Sequence, residues 1–118
     1  MWSSRLAAVA ALVLASAQAG ATPTMCPAKQ DGQPLSTGYV LDGPLQDKAI
    51  LEADSGGSKN GVEFARWKVR YVYDAGRQVT LDCRYGDGAT PVAVVIATPV
   101  KVCSYSKSKK RGVELRCR

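Results

Sequence analysis

The residues best suited to chemistry in this chain are its four cysteines, Cys26, Cys83, Cys103 and Cys117. The chain contains no histidine and no Cys-x-x-Cys pair, so the cysteine spacing does not fit a zinc site. An even number of cysteines in a small exported domain is typical of a disulfide framework. We therefore predict two disulfides, no metal site and no other cofactor.

The remaining polar residues do not form a catalytic pattern. Without histidine, Ser–His and Cys–His nucleophile pairs are excluded, and bridged cysteines leave no thiolate. Candidate carboxylate pairs of the glycosidase type, such as Glu52 with Asp54 and Asp82 with Asp87, lie in loops or on strand faces, where solvated acids are the norm. The sequence predicts no catalytic residue, and we expect the protein not to be an enzyme.

A basic cluster near the C-terminus is the second feature with chemical meaning. Residues 101–118 carry seven basic side chains and one acid. Such a cluster attracts an acidic protein, an anionic glycan or a lipid head group, or it merely solubilises a turn and protects a sheet edge. Nucleic acid is not an expected partner, because export separates the two and no binding motif is present. The candidate binding residues are Lys107, Lys109, Lys110, Arg111 and, in the turn 86–90, Asp87.

The N-terminus predicts export. Arg5 precedes an apolar run over residues 6–17, and small residues follow, which is the layout of a secretory signal peptide. Cleavage fits after Ala19 or after Ala21. We expect a signal peptide over residues 1–21 and one disulfide-stabilised domain over residues 22–118, periplasmic or secreted, where disulfides persist. No later segment approaches transmembrane length.

The elements that position these residues are predicted to be strands. Apolar and polar residues alternate over residues 62–73 and again over 79–85, with a turn at 74–76, which predicts a hairpin with one buried face. Trp67, Tyr71, Tyr73 and Tyr85 fall on that face. The expected register pairs Tyr73 with Val79, Tyr71 with Leu81, Val69 with Cys83 and Trp67 with Tyr85.

One further strand and a second hairpin follow. Pro91 opens a strand that is apolar on both faces, which predicts an interior strand and a meander through residues 62–97. Residues 101–106 and 113–117 predict a hairpin in which Cys103 faces Cys117 and Tyr105 faces Leu115. Directly facing residues come within disulfide range. Cys103–Cys117 is therefore the preferred bridge, leaving Cys26–Cys83 for the other pair.

The N-terminal half is less regular. Residues 22–37 predict an extended arm, 38–41 a short strand closed at 42–43, and 55–61 a flexible loop. Residues 44–54 fit a short helix, with an edge strand at 49–51 as the alternative. The expected fold class is mainly β: a small antiparallel sheet formed by a meander and a C-terminal hairpin, with one short helix and two disulfides.

Several short motifs resemble those of a known family. They are Cys26-Pro27, Asp42-Gly43-Pro44, Trp67-Lys68-Val69, the run from Asp82 to Gly86, Val102-Cys103 and Arg116-Cys117-Arg118. Together they resemble a family of small exported four-cysteine proteobacterial proteins, some of them encoded beside type VI secretion loci. The resemblance implies a periplasmic domain with a protective or inhibitory role against cell-wall-directed toxins. It carries no catalytic residue over to this chain, whose C-terminal turn is richer in lysine than the family pattern.

Composition and resemblance together predict a non-enzymatic periplasmic binding protein. We expect it to be an inhibitor or immunity-type partner of an envelope-acting enzyme, because a rigid disulfide-bound sheet lowers the cost of binding a protein. The alternative is a structural envelope protein that contacts anionic lipid or glycan through its basic C-terminal turn.

Overall fold

Two antiparallel four-stranded sheets make up the fold. The computed structural model describes residues 22–118, and the expected signal peptide lies outside the described residues. The mainly β prediction is confirmed. In chain order the elements are β1 (Lys29–Gln30), β2 (Gln33–Asp42), a 3-10 turn (Leu45–Asp47), β3 (Ser55–Lys59), β4 (Val62–Lys68), α1 (Arg70–Asp74), β5 (Val79–Tyr85), β6 (Pro91–Ile96), β7 (Val102–Ser108) and β8 (Gly112–Cys117).

The two sheets pack against each other through their apolar faces. The strand order is β1-β2-β5-β6 in the first sheet and β3-β4-β7-β8 in the second. Gly38 on β2 marks the closest approach, since a Cβ built there would lie 2.6 Å from Leu115 Cδ2 on β8. The apolar side chains of the core between the sheets are buried from solvent, and this burial is the main source of stability in such a sandwich. The members of this core include Val40, Val79, Leu81, Cys83, Ile96, Trp67, Cys103 and Leu115.

The predicted hairpin between residues 62–73 and 79–85 is wrong. β4 ends at Lys68, and the chain turns into the short helix α1. β4 pairs with β3 and β7, so Trp67 faces Cys103 instead of Tyr85. β5 pairs with β2 and β6 in the other sheet. The helix forms because Val69 and Val72, three positions apart, are both fully buried, a spacing that a helix satisfies and a strand does not.

The strand opened by Pro91 was expected inside a sheet and lies at an edge. β6 is the last strand of the first sheet. Its inner residues Val94 and Ile96 are buried, but Val95 on the other face is 47% exposed. The apolar run of β6 therefore belongs to an edge strand with one buried face and one exposed face.

Two N-terminal predictions also need correction. Residues 55–61 are not a loop: they form β3 and the tight turn Asn60-Gly61, where both residues have positive φ, as a two-residue hairpin turn requires. Residues 44–54 contain only a 3-10 turn, and Ile50 then bridges Leu41 on β2. The expected strand at 38–41 is confirmed, within the longer β2.

The C-terminal hairpin and both disulfides are confirmed. β7 and β8 pair Cys103 with Cys117 and Tyr105 with Leu115. The bridges are Cys103–Cys117, with Cα atoms 4.0 Å apart, and Cys26–Cys83, with Cα atoms 5.7 Å apart. The second bridge ties the N-terminal arm to β5, while residues 24–26 pair with the outer edge of β8. One short segment thus joins the two sheets.

Three of the four aromatic residues expected on one buried face do pack inward. Trp67 Nε1 donates to Leu51 O at 3.1 Å, Tyr73 Oη to Ile96 O at 2.8 Å and Tyr85 Oη to Pro27 O at 2.7 Å. Tyr71 is 52% exposed, because the helical turn of α1 directs it outward. Within residues 22–118, no helix has the length and apolarity needed to cross a membrane.

Candidate functional site

Four of the candidate binding residues lie together on the β7–β8 hairpin. Lys107 is on β7, and Lys109, Lys110 and Arg111 form the turn, all of them exposed. The turn is closed by the Arg111 backbone N–H, which donates to Ser108 Oγ at 3.0 Å. This hairpin end therefore presents four cationic side chains to solvent on a fixed backbone.

Asp87, the fifth candidate, is not part of that cluster. It lies in the β5–β6 turn of the first sheet, where its carboxylate accepts the Ala89 N–H at 3.0 Å. This contact is an Asx turn, in which an aspartate side chain stabilises its own loop. The geometry gives Asp87 a local role and separates it from the basic residues.

The outer face of the second sheet extends the basic cluster along the whole sheet. Strand pairing aligns Arg66 on β4, Ser104 on β7 and Arg116 on β8 in one row. Lys68 and Arg118 stand on either side of Val102 in the next row. We call this surface the basic face and define it by its exposed residues together with the serines between them: Phe64, Arg66, Lys68, Glu114, Arg116 and Arg118, with Ser104 and Ser106.

Charge is divided very unevenly between the two halves of the molecule. The strands and turns of the second sheet, residues 55–68 and 101–118, hold ten basic residues and two acidic ones. The rest of residues 22–118 holds five basic and eight acidic residues. The positive charge is therefore concentrated on one sheet.

None of the basic side chains of this sheet forms an ion pair among residues 22–118, although Glu63 lies opposite Lys107 across β4 and β7. The ion pairs found among residues 22–118 are Arg77–Asp42 and Arg84–Asp82, both in the first sheet. Asp54, next to the basic face, accepts the backbone N–H of Lys68 and does not contact its ammonium group. Unpaired like charges on one surface sum to a positive field that reaches about 8–10 Å into physiological saline.

An open depression continues the basic face between the tips of the two hairpins. Its volume is about 640 Å³. The turn Asn60-Gly61 and Val62 form one wall, and Ser106, Glu114 and the basic turn form the other. A protruding loop of a protein partner would meet both apolar and cationic groups here.

The first sheet offers a contrasting surface in which polar groups satisfy one another. Arg84 donates to both carboxylate oxygens of Asp82, at 2.8 and 2.9 Å, and to Gly88 O at 2.9 Å. Its guanidinium carbon also lies 5.9 Å from the centre of the Tyr39 ring, a cation–π distance. The hydrogen bonds to Asp82 raise the pKa of Arg84. These contacts hold the β5–β6 turn and pair the Arg84 guanidinium with the Asp82 carboxylate.

Sequence reasoning missed the extent of the basic face. The outward alternation of Arg66 and Lys68 was visible in the sequence, but their neighbours on β7 and β8 depend on long-range pairing that no local pattern encodes. Among residues 22–118 there is also no group of three or more Cys, Asp or Glu side chains with metal-ligand geometry.

Comparison with known proteins adds one positive finding. The family model described as Type VI secretion system Tli immunity protein matches residues 28–118, which covers every strand from β1 to β8. No curated protein and no solved structure matches the chain.

Proposed function

We propose, on the premise that this chain belongs to the Type VI secretion system Tli immunity protein family, that it neutralises a protein effector by binding it through the basic face. The family match accounts for an immunity-type role. The surface assignment is ours and rests on the uneven charge distribution described above.

The observation that carries this assignment is the set of unpaired cations. The second sheet carries ten basic side chains and two acidic ones. None of the ten belongs to an ion pair among residues 22–118. Concentrating like charge on one sheet opposes folding through self-repulsion. A partner with a complementary acidic surface relieves that repulsion and gains a faster encounter rate.

We infer that neutralisation is non-catalytic. The chain has no histidine, and all four cysteines are held in disulfides, so the commonest nucleophile systems are absent from its sequence. The rigid sandwich supports inhibition by occupancy, because a preorganised surface loses little entropy on binding.

We also propose that the protein acts in the periplasm as a single mature domain over residues 22–118. The predicted signal peptide at residues 1–21 would direct export, and two disulfides suit an oxidising compartment. Their confirmed pairing is consistent with this location.

A protection assay tests the proposal. The cognate type VI effector is directed to the periplasm of a sensitive bacterium, with and without the full chain. We expect survival with the full chain and loss of survival when residues 1–21 are deleted so that the domain stays in the cytoplasm. Killing at the same rate with and without the exported chain would contradict the proposal.

Charge variants test the surface. Arg66→Glu with Arg116→Glu reverses two charges on the basic face, whereas Lys29→Glu with Arg70→Glu makes the same charge change elsewhere on the surface. We expect the first pair to abolish protection and the second to preserve it, with equal amounts of folded, oxidised protein in both. Equal protection by both pairs would show that binding uses another surface.

A further inference from the structure

The edges of the two sheets differ in how far they are covered. β1 is only two residues long, and the outer edge of β8 is paired with residues 24–26. β6 begins with proline, and Tyr73 Oη donates to the carbonyl of Ile96 at its far end. β3 lies at the end of the second sheet, and its five residues are all exposed. Beyond its pairing with β4, no backbone hydrogen bond involves these five residues within the described chain.

The sequence of β3 keeps side chains out of the way of an approaching strand. Its residues are Ser55, Gly56, Gly57, Ser58 and Lys59. Glycine inside a strand weakens it, and it often marks a place where another backbone comes close. β3 stays paired with β4 although two of its residues are glycines. The backbone donors and acceptors on its outer edge are therefore open to the strand of a partner.

Phe64 supplies an apolar contact at the same edge. Gly57 faces Phe64 across the β3–β4 pair, and a Cβ built on Gly57 would lie 3.5 Å from Phe64 Cζ. The ring therefore leans over Gly57 towards the open edge, and Phe64 remains 44% exposed. An added strand would find this aromatic face beside its own central residue.

Cationic side chains stand on both sides of that ring. Arg66 faces Ser55 in the next row, and Lys59 ends β3 on the other side. Ser55 is too short to shield Arg66 from a strand added about 10 Å away, two strand spacings from β4. Alternate residues of such a strand would meet Arg66, Phe64 and Lys59 in turn, because side chains on one face of a strand recur every second residue.

We propose that β3 receives an extended segment of the effector by strand addition, and that this segment has the pattern acidic-x-apolar-x-acidic. The proposal rests on the proposed function and names the chemistry of the partner. Main-chain hydrogen bonds along β3 hold the segment, and the alternating contacts select it. β6 lacks this complementarity, because residues 89–100 carry no charge.

Amide hydrogen exchange tests the mode of binding directly. The isotopically labelled domain is measured alone and in the presence of the purified cognate effector. We expect exchange of the edge-facing amides in Ser55–Lys59 to slow by about tenfold or more, since they gain hydrogen-bond partners. Binding that leaves these amides unchanged and protects β6 or the first sheet instead overturns strand addition, while the immunity role stands. Absence of binding overturns both.

A matched pair of aromatic variants provides an independent readout. Phe64→Ala removes the exposed ring over Gly57, and Tyr71→Ala removes an exposed ring on α1. We expect Phe64→Ala to weaken toxin binding by about 30-fold, in the range of an interface hot spot, and Tyr71→Ala to leave affinity within about twofold. Equal effects of the two variants, or none from Phe64→Ala, would contradict the proposal.

Discussion

At the residue scale, the two ion pairs Arg77–Asp42 and Arg84–Asp82 differ in burial, and burial determines how much each contributes to stability. The side chain of Asp82 is 6% exposed and that of Arg84 is 25% exposed, whereas those of Arg77 and Asp42 are 48% and 17% exposed. Both arginines donate to both oxygens of their carboxylate. The geometry is alike, so the difference lies in what removal of the arginine leaves behind.

Replacing each arginine by alanine measures this difference. Arg84→Ala leaves a buried carboxylate without its partner, and we expect the free energy of unfolding to fall by about 2–3 kcal/mol. Arg77→Ala opens the Asp42 carboxylate to solvent on the side that the exposed Arg77 covered, and we expect a clearly smaller loss. Urea denaturation at neutral pH measures both. A loss for Arg77→Ala as large as that for Arg84→Ala would contradict the argument from burial.

Buried tyrosines make stability sensitive to alkaline pH. Burial raises the pKa of Tyr85 above 10.0, and burial, opposed by a backbone hydrogen bond from Val79, raises that of Tyr73. A raised folded-state pKa contributes stability that is complete below the unfolded pKa and is lost as pH rises through the folded pKa. We therefore expect the free energy of unfolding to decrease as pH rises above about 10.

The contribution of these two groups is separated by a double variant. Tyr73→Phe with Tyr85→Phe removes the titrating hydroxyls and lowers stability at neutral pH by about 1 kcal/mol per hydrogen bond. We expect its alkaline decrease to be shallower than that of the wild type. Parallel alkaline decreases in the wild type and the double variant would contradict the assignment.

At the element scale, the C-terminal hairpin could be predicted and the central one could not. In the C-terminal hairpin, facing cysteines and the Gly112 turn fix one register. In the segment after Lys68, Val69 and Tyr73 are four residues apart, a spacing that puts them on one side of both a strand and a helix. Only Tyr71 and Val72 distinguish the two, and the predicted strand buried Tyr71 where the helix buries Val72.

The candidate site was predictable to a similar degree. The basic turn at 107–112 is local in sequence, so its charges were visible directly. The hairpin β3–β4 was also encoded locally, by the Asn60-Gly61 pair that favours a two-residue turn. The row of Arg66, Ser104 and Arg116 was not, because it joins three strands whose order depends on packing of the whole sandwich.

The close approach of β2 and β8 yields an element-scale prediction. A Cβ at Gly38 would lie 2.6 Å from Leu115 Cδ2 and 3.2 Å from Asp82 O, so Gly38→Ala forces the sheets apart. We expect a loss of about 2–3 kcal/mol, typical of overpacking. Gly57→Ala is the control, since its Cβ would meet Phe64 at an ordinary 3.5 Å, and we expect a change below about 1 kcal/mol. Thermal and urea unfolding measure both variants. Equal losses of unfolding free energy for Gly38→Ala and Gly57→Ala would contradict the prediction.

The two disulfides should differ in what they hold. Cys103–Cys117 closes 14 residues within one hairpin, and Cys26–Cys83 closes 57 residues and anchors the arm whose Cys26 N–H donates to Leu115 O at 2.9 Å. We expect replacing both Cys103 and Cys117 by alanine to lower the free energy of unfolding by about 3 kcal/mol. Replacing both Cys26 and Cys83 should lower it by about 4 kcal/mol. Urea denaturation of the two variants measures this, and a smaller loss on removing Cys26–Cys83 would contradict the anchoring role.

At the scale of the whole molecule, the two sheets differ in the charge that they carry and in the ion pairs that they form. The first sheet takes part in two ion pairs, Arg77–Asp42 and Arg84–Asp82, and is held to the second sheet by the arm and by Cys26–Cys83. The cations of the second sheet form no ion pair among residues 22–118. The sheet ends at β3, which pairs with β4 on one side and has an open outer edge. Membership of an immunity family gives this asymmetry a purpose, since a protein that must find its toxin quickly gains from electrostatic steering.

The most direct test is the rate constant for association with the purified cognate effector, measured at increasing salt. We expect it to fall by about tenfold or more from about 50 to about 500 mM NaCl. At low salt, Arg66→Glu with Arg116→Glu should reduce it by about tenfold, and Lys29→Glu with Arg70→Glu by less than about twofold. A rate constant independent of salt and equal in the two variants would contradict recognition through the basic face.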